Sequence, residues 1–392
     1  MARYERALGA GLILGLAAAA LWGAGRRYAE VGIPRLMDWD KVRQAAYATS
    51  RKGTSDGTYA DSSLGREYSE WVAESERLIS DYTGRELPSQ LQDVRVVNRF
   101  EWIDANIANF RMMFQPVEDL YASMLDEKPF GIHLMGGLNQ ILLSGQMGAL
   151  VGYMAQRVLG QYDLSLLGRE PITTGKLYFV EPNIAQLEKR LRLPGKQFRM
   201  WIALHETTHA YEFECHPWLR EYMNNMLSAY FDSLSHDLLG MKGPQSTIRS
   251  FIGRIGGNFS RTQHALELVM SPEQRRIFRQ QQALMSLLEG FSNHVMDAVG
   301  RTVLEDYDIL KERFEDRARH KSRAEVLFTR LTGMDVKMEQ YRAGEQFVNT
   351  AVDLRGLDFV NKVWDSPLNL PTLAEIYSPA DWVARMERVA AA

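Results

Sequence analysis

The chain has 392 residues, which is enough for one large domain or two ordinary domains with a full hydrophobic core. Its 46 Lys and Arg residues nearly balance its 49 Asp and Glu residues, and no basic block is interleaved with aromatic residues, so the sequence indicates no nucleic-acid partner. Cys215 is the only cysteine, which excludes an intrachain disulfide and a disulfide-stapled secreted fold.

Near the N-terminus, residues 8–25 form an apolar run without a charged side chain, and arginines flank it on both sides. A membrane-spanning helix needs about 17–25 apolar residues, so this run is at the short end of that range. Three interpretations stay open: a membrane anchor, which we favour, a helix buried against the rest of the protein, and a cleaved signal peptide. We therefore expect a cytoplasmic or membrane-anchored protein, with residues 1–30 as an N-terminal segment and residues 31–392 as one domain.

The next part of the chain has the period of amphipathic helices. This period predicts helices over residues 38–47, 65–83 and 100–113, and Pro116 is expected to start another helix. The chain is predicted to be mainly α-helical on this basis.

Residues 131–167 are apolar but rich in glycine. Gly148 and Gly152 have the spacing of small residues at which two helices pack closely. Asn139 and Gln146 argue against a helix that faces lipid. We therefore predict a buried helical hairpin here rather than a second membrane segment.

Two further segments have clear local signals. Residues 176–180, with the sequence KLYFV, are the best strand candidate in the chain. Ser271 is a predicted helix N-cap, because a proline follows it and a glutamine stands three residues later. That helix should continue to about residue 299, while the glycine-rich residues 240–257 are the best candidate for a mobile lid.

The run from His205 to His209 reads HETTH, which is the HExxH pattern of zinc-binding helices. Residues four apart lie on one helix face, so both imidazoles can reach one metal ion. Glu206 lies beside the first histidine, where it can accept a proton from a water molecule at the metal. Residues 197–216 contain no glycine or proline and are largely apolar, which predicts a buried helix. The alternative is a core helix whose histidines only bond to backbone groups.

A catalytic zinc site needs a third protein ligand. The metzincin arrangement places a histidine six residues after the second ligand, but Cys215 stands there in this chain, and Glu212 replaces the family's glycine. Glu212 is itself a rival ligand, since it shares a helix face with His205 and His209.

Glu289 is the better candidate for the third ligand, as in gluzincins. It lies within an apolar helical stretch, where a carboxylate is costly unless it is paired or bound to a metal. Asn293 follows one turn later on the same helix face, and Asp297 lies two turns later within about 80° of it. We expect both to orient Glu289 or a histidine through hydrogen bonds. His294 points about 140° away. The alternative role for Glu289 is an ion pair with an arginine.

These residues belong to a longer pattern that resembles the zincin-like candidate hydrolases of actinobacterial and chloroflexi type, a group sometimes labelled as associated with deazaflavin-cofactor biosynthesis. The resemblance covers about residues 38–389, and the N-terminal apolar run is an addition to it. The motifs that carry it are VLGQYD at 158–163, WIAL at 201–204 followed by HETTH, PWLR at 217–220, LEG at 288–290, VMD at 295–297, QYR at 340–342, VW at 363–364 and LPT at 370–372.

The resemblance implies a mainly helical zincin-like metallopeptidase domain with a small β-sheet next to the HExxH helix. It also implies His205, His209 and Glu289 as zinc ligands, with Glu206 as the base. By analogy with zincins, the strand at 176–180 would be an edge strand that pairs with an extended substrate.

The expected activity is zinc-dependent hydrolysis of a peptide or a small amide substrate. Tyr211, His264 and His294 are candidates for stabilising the oxyanion. Two alternatives stay open: a metal-binding or partner-binding scaffold without turnover, and a hydrolase of non-peptide amides.

Overall fold

A computed structural model of the chain describes residues 35–51, 59, 63–125, 130–163, 175–240, 270–319 and 334–391. The apolar run at 8–25 lies outside these residues, as do His264 and most of the proposed lid, so the expectations for them stay predictions. No helix among the described residues is both long and apolar enough to cross a membrane.

The structure is mainly helical with one small sheet, as the sequence predicts. The elements in chain order are α1 Trp39–Ser50, α2 Ser63–Thr83, β1 Val94–Val97, α3 Arg99–Leu125, α4 Phe130–Ala155, β2 Gly160–Asp163, β3 Lys176–Val180, α5 Glu181–Leu191, α6 Gly195–Glu214, α7 Trp218–Gly240, α8 Pro272–Val303, α9 Tyr307–Arg319, α10 Met334–Arg355, α11 Leu357–Val360, the 3-10 helices Asn361–Trp364 and Pro367–Asn369, α12 Leu373–Tyr377 and α13 Pro379–Ala391.

The chain divides into two compact units. The first contains residues 1–54 and 99–157, and the second contains residues 55–98 and 158–392. The single domain predicted over residues 31–392 stays a prediction.

In the first unit, α1 packs on α3 and α4. A Cβ atom at Gly148 would lie 2.5 Å from the carbonyl oxygen of Val42, and one at Gly152 would lie 2.5 Å from that of Ala46. The small-residue spacing therefore marks a close helix crossing, as predicted. The predicted hairpin is wrong, however, since one helix covers 130–155 and a strand follows. Pro116 lies inside α3 and does not start a new helix.

The second unit contains a three-stranded sheet with the order β1-β3-β2. β1 pairs with β3 in parallel, and β2 pairs with β3 in antiparallel orientation. The strand predicted at 176–180 is therefore present, but it is the central strand β3. Because both of its edges are occupied, the expectation that it is a free edge strand is wrong. β1 and β2 are the two edge strands, and β2 packs against α6.

Two long helices of the second unit form the core around the site. α6 is buried along most of its length and ends just before Pro217, close to the predicted boundary. α8 begins with the predicted capping box, in which the Ser271 and Gln274 side chains bond to each other's backbone N–H groups. α8 packs on α6, α7 and α10.

Candidate metal centre

The two histidines of the HExxH motif lie together on α6. The ring centres of His205 and His209 are 4.8 Å apart, and the ring planes are nearly perpendicular, at 82°. The apolar residues of α6 are buried in the hydrophobic core, whereas the His205 side chain keeps 24% of its surface exposed. The helix thus presents its histidines at a face that solvent can reach.

Helix α8 brings Glu289 to the same place. Its Oε2 atom lies 3.7 Å from Nε2 of His205, and one ligand atom from each of His205, His209 and Glu289 lies within 4.8 Å of the others. Two ligand atoms at about 2.0–2.2 Å from one tetrahedral zinc ion are roughly 3.3–3.6 Å apart. Two imidazoles and a carboxylate are donors that zinc accepts, and the distance between His205 and Glu289 is close to this spacing. The close contact of the Glu289 carboxylate is with the His205 ring, and among the described residues no arginine forms a salt bridge with it.

Glu212 and Ser292 orient the second histidine. Oε2 of Glu212 lies 2.8 Å from Nδ1 of His209, and the Ser292 hydroxyl donates a hydrogen bond of 3.2 Å to the other oxygen of that carboxylate. A carboxylate on one ring nitrogen keeps the proton there and leaves the other nitrogen for a metal. Glu212 is therefore engaged as the partner of a ligand, which is a different role from the rival ligand that the sequence suggested.

Burial shapes the protonation of these groups in the metal-free protein. It lowers the pKa of His205 to about 3, with a further contribution from the charge of His209, so the ring is neutral and able to bind a metal. Burial also lowers the pKa of His209, but the Glu212 carboxylate outweighs that effect and raises it. The pKa of Glu212 rises to about 7, chiefly because its carboxylate is buried.

Glu206 lies beside the candidate metal ligands and against Gly160 of strand β2. Burial raises the pKa of its carboxyl to about 7, and the nearby charge of Glu289 raises it further, while His209 and a hydrogen bond from the Tyr162 backbone N–H oppose the rise. A carboxylate that titrates near neutral pH next to a metal site is suited to general-base catalysis.

Asp297 does not occupy the orienting position that we expected, while the role expected for Asn293 stays a prediction. The carboxylate of Asp297 contacts the Tyr307 hydroxyl and the Lys311 ammonium group. Eight residues along a helix correspond to a rise of about 12 Å and a rotation of about 80°, which separates Asp297 from Glu289. The Nδ1 atom of His209 lies instead 2.8 Å from Oε2 of Glu212 and 3.1 Å from the Ser292 hydroxyl oxygen. Each stands three residues after a ligand, a spacing that could have marked both in the sequence.

Two of the three candidates for oxyanion stabilisation have other partners. The Tyr211 hydroxyl donates to the backbone carbonyl of Glu76, at 2.8 Å. The His294 ring bonds to the Tyr82 hydroxyl through Nε2, at 2.8 Å, and to the Asn349 side chain through Nδ1, at 2.6 Å. These contacts hold His294 among α2 and α10, in line with its direction away from Glu289.

An HExxH helix, a glutamate brought beside it by a second helix and a small mixed sheet next to the motif are the features expected of a zincin-like protein. Residues 37–383 match the family model described as zincin-like metallopeptidase, and the chain belongs to that family. It is also similar to a crystal structure of a candidate hydrolase with a novel fold from Chloroflexus aurantiacus. The two share 39% sequence identity with a TM-score of 0.67, over 90% of this chain and 99% of that one. None of the curated proteins matches the chain.

Proposed function

We propose that the protein is a zinc-dependent hydrolase of the gluzincin type that cleaves peptide bonds. One observation carries this proposal: His205, His209 and Glu289 converge at ligand spacing while Glu206, buried beside them, is left over as a base. A site that only stored or structurally used a metal would have no need for a buried carboxyl group with a raised pKa beside the three candidate ligands.

Each residue of the site has a separate role in this reaction. His205, His209 and Glu289 would hold the zinc ion, and Glu212 and Ser292 keep His209 in the orientation that binding requires. When bound, zinc supplies a Lewis acid that polarises the substrate carbonyl and makes water more acidic. Glu206 accepts the proton of the attacking water and delivers it to the leaving amine nitrogen.

The test is Glu206→Gln, which preserves size and hydrogen bonding but removes the base. We expect the variant to keep its fold and its zinc and to lose about 10²–10⁴-fold in kcat, the usual contribution of a positioned general base. Peptide libraries and small amides serve as substrates, with rates compared at equal zinc occupancy measured by mass spectrometry. Glu70→Gln, at an exposed position on α2, is the matched control and should leave the rate unchanged.

The outcomes separate the proposal from its alternatives. Equal rates for the wild type and Glu206→Gln would rule out Glu206 as the base. Cleavage of amides but never of peptides would favour a hydrolase of non-peptide amides. A wild type that binds zinc and cleaves neither class would leave the metal-binding scaffold as the better description.

A further inference from the structure

We infer that strand β2 is the device that positions the base: Gly160 leaves the space that the Glu206 side chain occupies, and the Tyr162 backbone N–H orients its carboxylate. Tyr162 is in turn fixed by Glu214 at the end of the HExxH helix. This inference rests on the proposed function, since it assigns positioning residues to the reaction in which Glu206 is the base.

The contact between Gly160 and Glu206 leaves no room for another side chain. A Cβ atom at residue 160 would lie 2.5 Å from Cγ of Glu206 and 2.7 Å from both its Cδ and its Oε1. Real Cβ atoms do not approach other heavy atoms so closely, and the Glu206 side chain would be the part that moves. The absence of a side chain at Gly160 is therefore a condition for the observed position of the base.

The register of the sheet explains why Tyr162 can donate to Glu206. The backbone N–H of Val180 donates to the carbonyl of Leu159, at 2.8 Å, and Gly160 and Tyr162 are registered opposite Phe179 and Leu177. Hydrogen-bonded and non-hydrogen-bonded pairs alternate along an antiparallel ladder. The N–H of Tyr162 thus points away from β3, toward the outer edge of the sheet, and it favours the charged form of the Glu206 carboxyl group that lies against Gly160.

The side chain of Tyr162 anchors this part of β2 to α6. Its hydroxyl donates to Oε1 of Glu214, and the same oxygen accepts the backbone N–H of Gly175 at 2.9 Å. The guanidinium of Arg220 lies 3.5 Å from that oxygen, and the Tyr162 ring stacks on Phe213 with ring centres 6.0 Å apart. Glu206 and Glu214 belong to one rigid helix, eight residues apart, so this anchor sets the distance from the Tyr162 N–H to the base.

Amide hydrogen exchange tests the orientation without any need for activity. In Glu206→Ala the Tyr162 N–H loses its acceptor, and its exchange should become about tenfold faster or more, because a hydrogen bond to a charged group is lost. The Gln161 N–H, which the register turns toward β3, is the internal reference and should not change. Gly160→Ala should also accelerate exchange at Tyr162, since it displaces the carboxylate.

Activity tests the consequence. Gly160→Ala should lower kcat by about 10²-fold, the cost of a base misplaced by about 1 Å, with little change in KM or in zinc occupancy. Gly145→Ala, at a glycine whose Cβ would meet nothing within 4 Å, is the control and should match the wild type.

Three further variants test the inference if Gly160→Ala does not fold. Tyr162→Phe keeps the ring and the backbone N–H but loses the hydroxyl, and should lower kcat by about five- to tenfold, the equivalent of one hydrogen bond. Glu214→Ala should lower kcat by a similar factor. Glu214→Gln keeps an acceptor for the Tyr162 hydroxyl and should retain most of the wild-type kcat.

The inference is overturned if exchange at Tyr162 is the same in the wild type and Glu206→Ala, or if folded Gly160→Ala retains the wild-type kcat. Should the wild type cleave no substrate, the proposed function fails on its own, and the exchange experiment still decides whether β2 holds Glu206.

Discussion

At the scale of single residues, the candidate centre depends on how His209 is held. Its Nδ1 atom faces the carboxylate of Glu212, a residue that is only 1% exposed. A buried carboxylate is stable when it is fully hydrogen-bonded, and Ser292 satisfies its second oxygen. Substitution of Glu212 should therefore lower the zinc affinity, because its carboxylate orients His209.

We predict a graded loss of zinc affinity at these positions. Glu289→Ala removes a ligand and should lower affinity by more than about 100-fold, whereas Glu212→Ala removes only the partner of a ligand and should cost about 10–100-fold. Glu212→Gln keeps an acceptor for Nδ1 and is the matched control, with a smaller loss. Competition with a chromogenic chelator measures all three, and an unchanged affinity in Glu289→Ala would contradict the ligand assignment.

A second residue-scale feature is the buried His216. Its Nδ1 atom lies 2.9 Å from the Glu212 carbonyl oxygen, its ring stacks on Trp364, and its Nε2 atom has no protein partner among the described residues. Burial lowers the pKa of His216 below its ordinary value, and the charge of Arg85 adds to that effect. The folded protein therefore resists protonation of this ring more than the unfolded chain does.

This difference predicts how stability depends on pH. The unfolded His216 takes up a proton as the pH falls through about 6.5, before the folded one does, so stability decreases below that pH and is constant above it. His216→Gln removes this contribution. In EDTA, the free energy of unfolding should fall less between pH 7.5 and 5.5 in the variant than in the wild type. Urea titrations at both pH values measure this free energy. An equal decrease in the variant and the wild type would contradict a buried, neutral His216 ring.

At the scale of elements, the position of Glu289 depends on the crossing of α8 and α10. A Cβ atom at Gly290 would lie 2.2 Å from the backbone carbon of Gly344, and one at Gly344 would lie 1.8 Å from the carbonyl oxygen of Ser286. Backbone atoms cannot yield as a flexible side chain can, so any side chain here would separate the two helices. Glu289 is the neighbour of Gly290 and would move with α8.

Gly290→Ala should therefore destabilise the protein by about 1–3 kcal/mol, the usual cost of overpacking, and weaken zinc binding. In an exposed helix the same substitution stabilises by up to about 1 kcal/mol, which is what we expect for Gly145→Ala. Thermal unfolding of both variants compares the two effects directly. A stabilised Gly290→Ala would show that the helices can separate at no cost.

At the scale of the whole molecule, metal binding should be coupled to folding. The three candidate ligands come from two helices that meet only in the folded protein, so an ion bound among them favours the native state. The same argument applies to the buried charges of Glu206 and Glu212, which a nearby cation would compensate.

Removal of the metal should lower the melting temperature of the wild type. At a free zinc concentration about a thousandfold above Kd, binding contributes roughly 4 kcal/mol, or about 5 °C or more for a chain of this size. EDTA should remove this increment in the wild type and have no effect on His205→Ala, which serves as the control. Differential scanning calorimetry measures both, and a wild type insensitive to EDTA and to added zinc would argue against the site.

The sequence by itself determined the local features of this protein. The HExxH spacing, the buried helix around it, the capping box at Ser271 and the strand at 176–180 follow from interactions between residues close in the chain, and each is present in the structure. Glu289 could be predicted as a candidate ligand for a related reason: a carboxylate in an apolar helical stretch needs a partner, whatever the fold.

Only the tertiary structure decided which distant segments meet. Whether β3 is central or at an edge depends on pairing with β1 and β2, which no local pattern encodes. Helical angle alone suggested Asp297, but its axial distance and its contacts with Tyr307 and Lys311 place it elsewhere. The roles of Ser292 and Gly160 likewise exist only because α8 and β2 pack on α6, since long-range packing selects the neighbours from which a site is built.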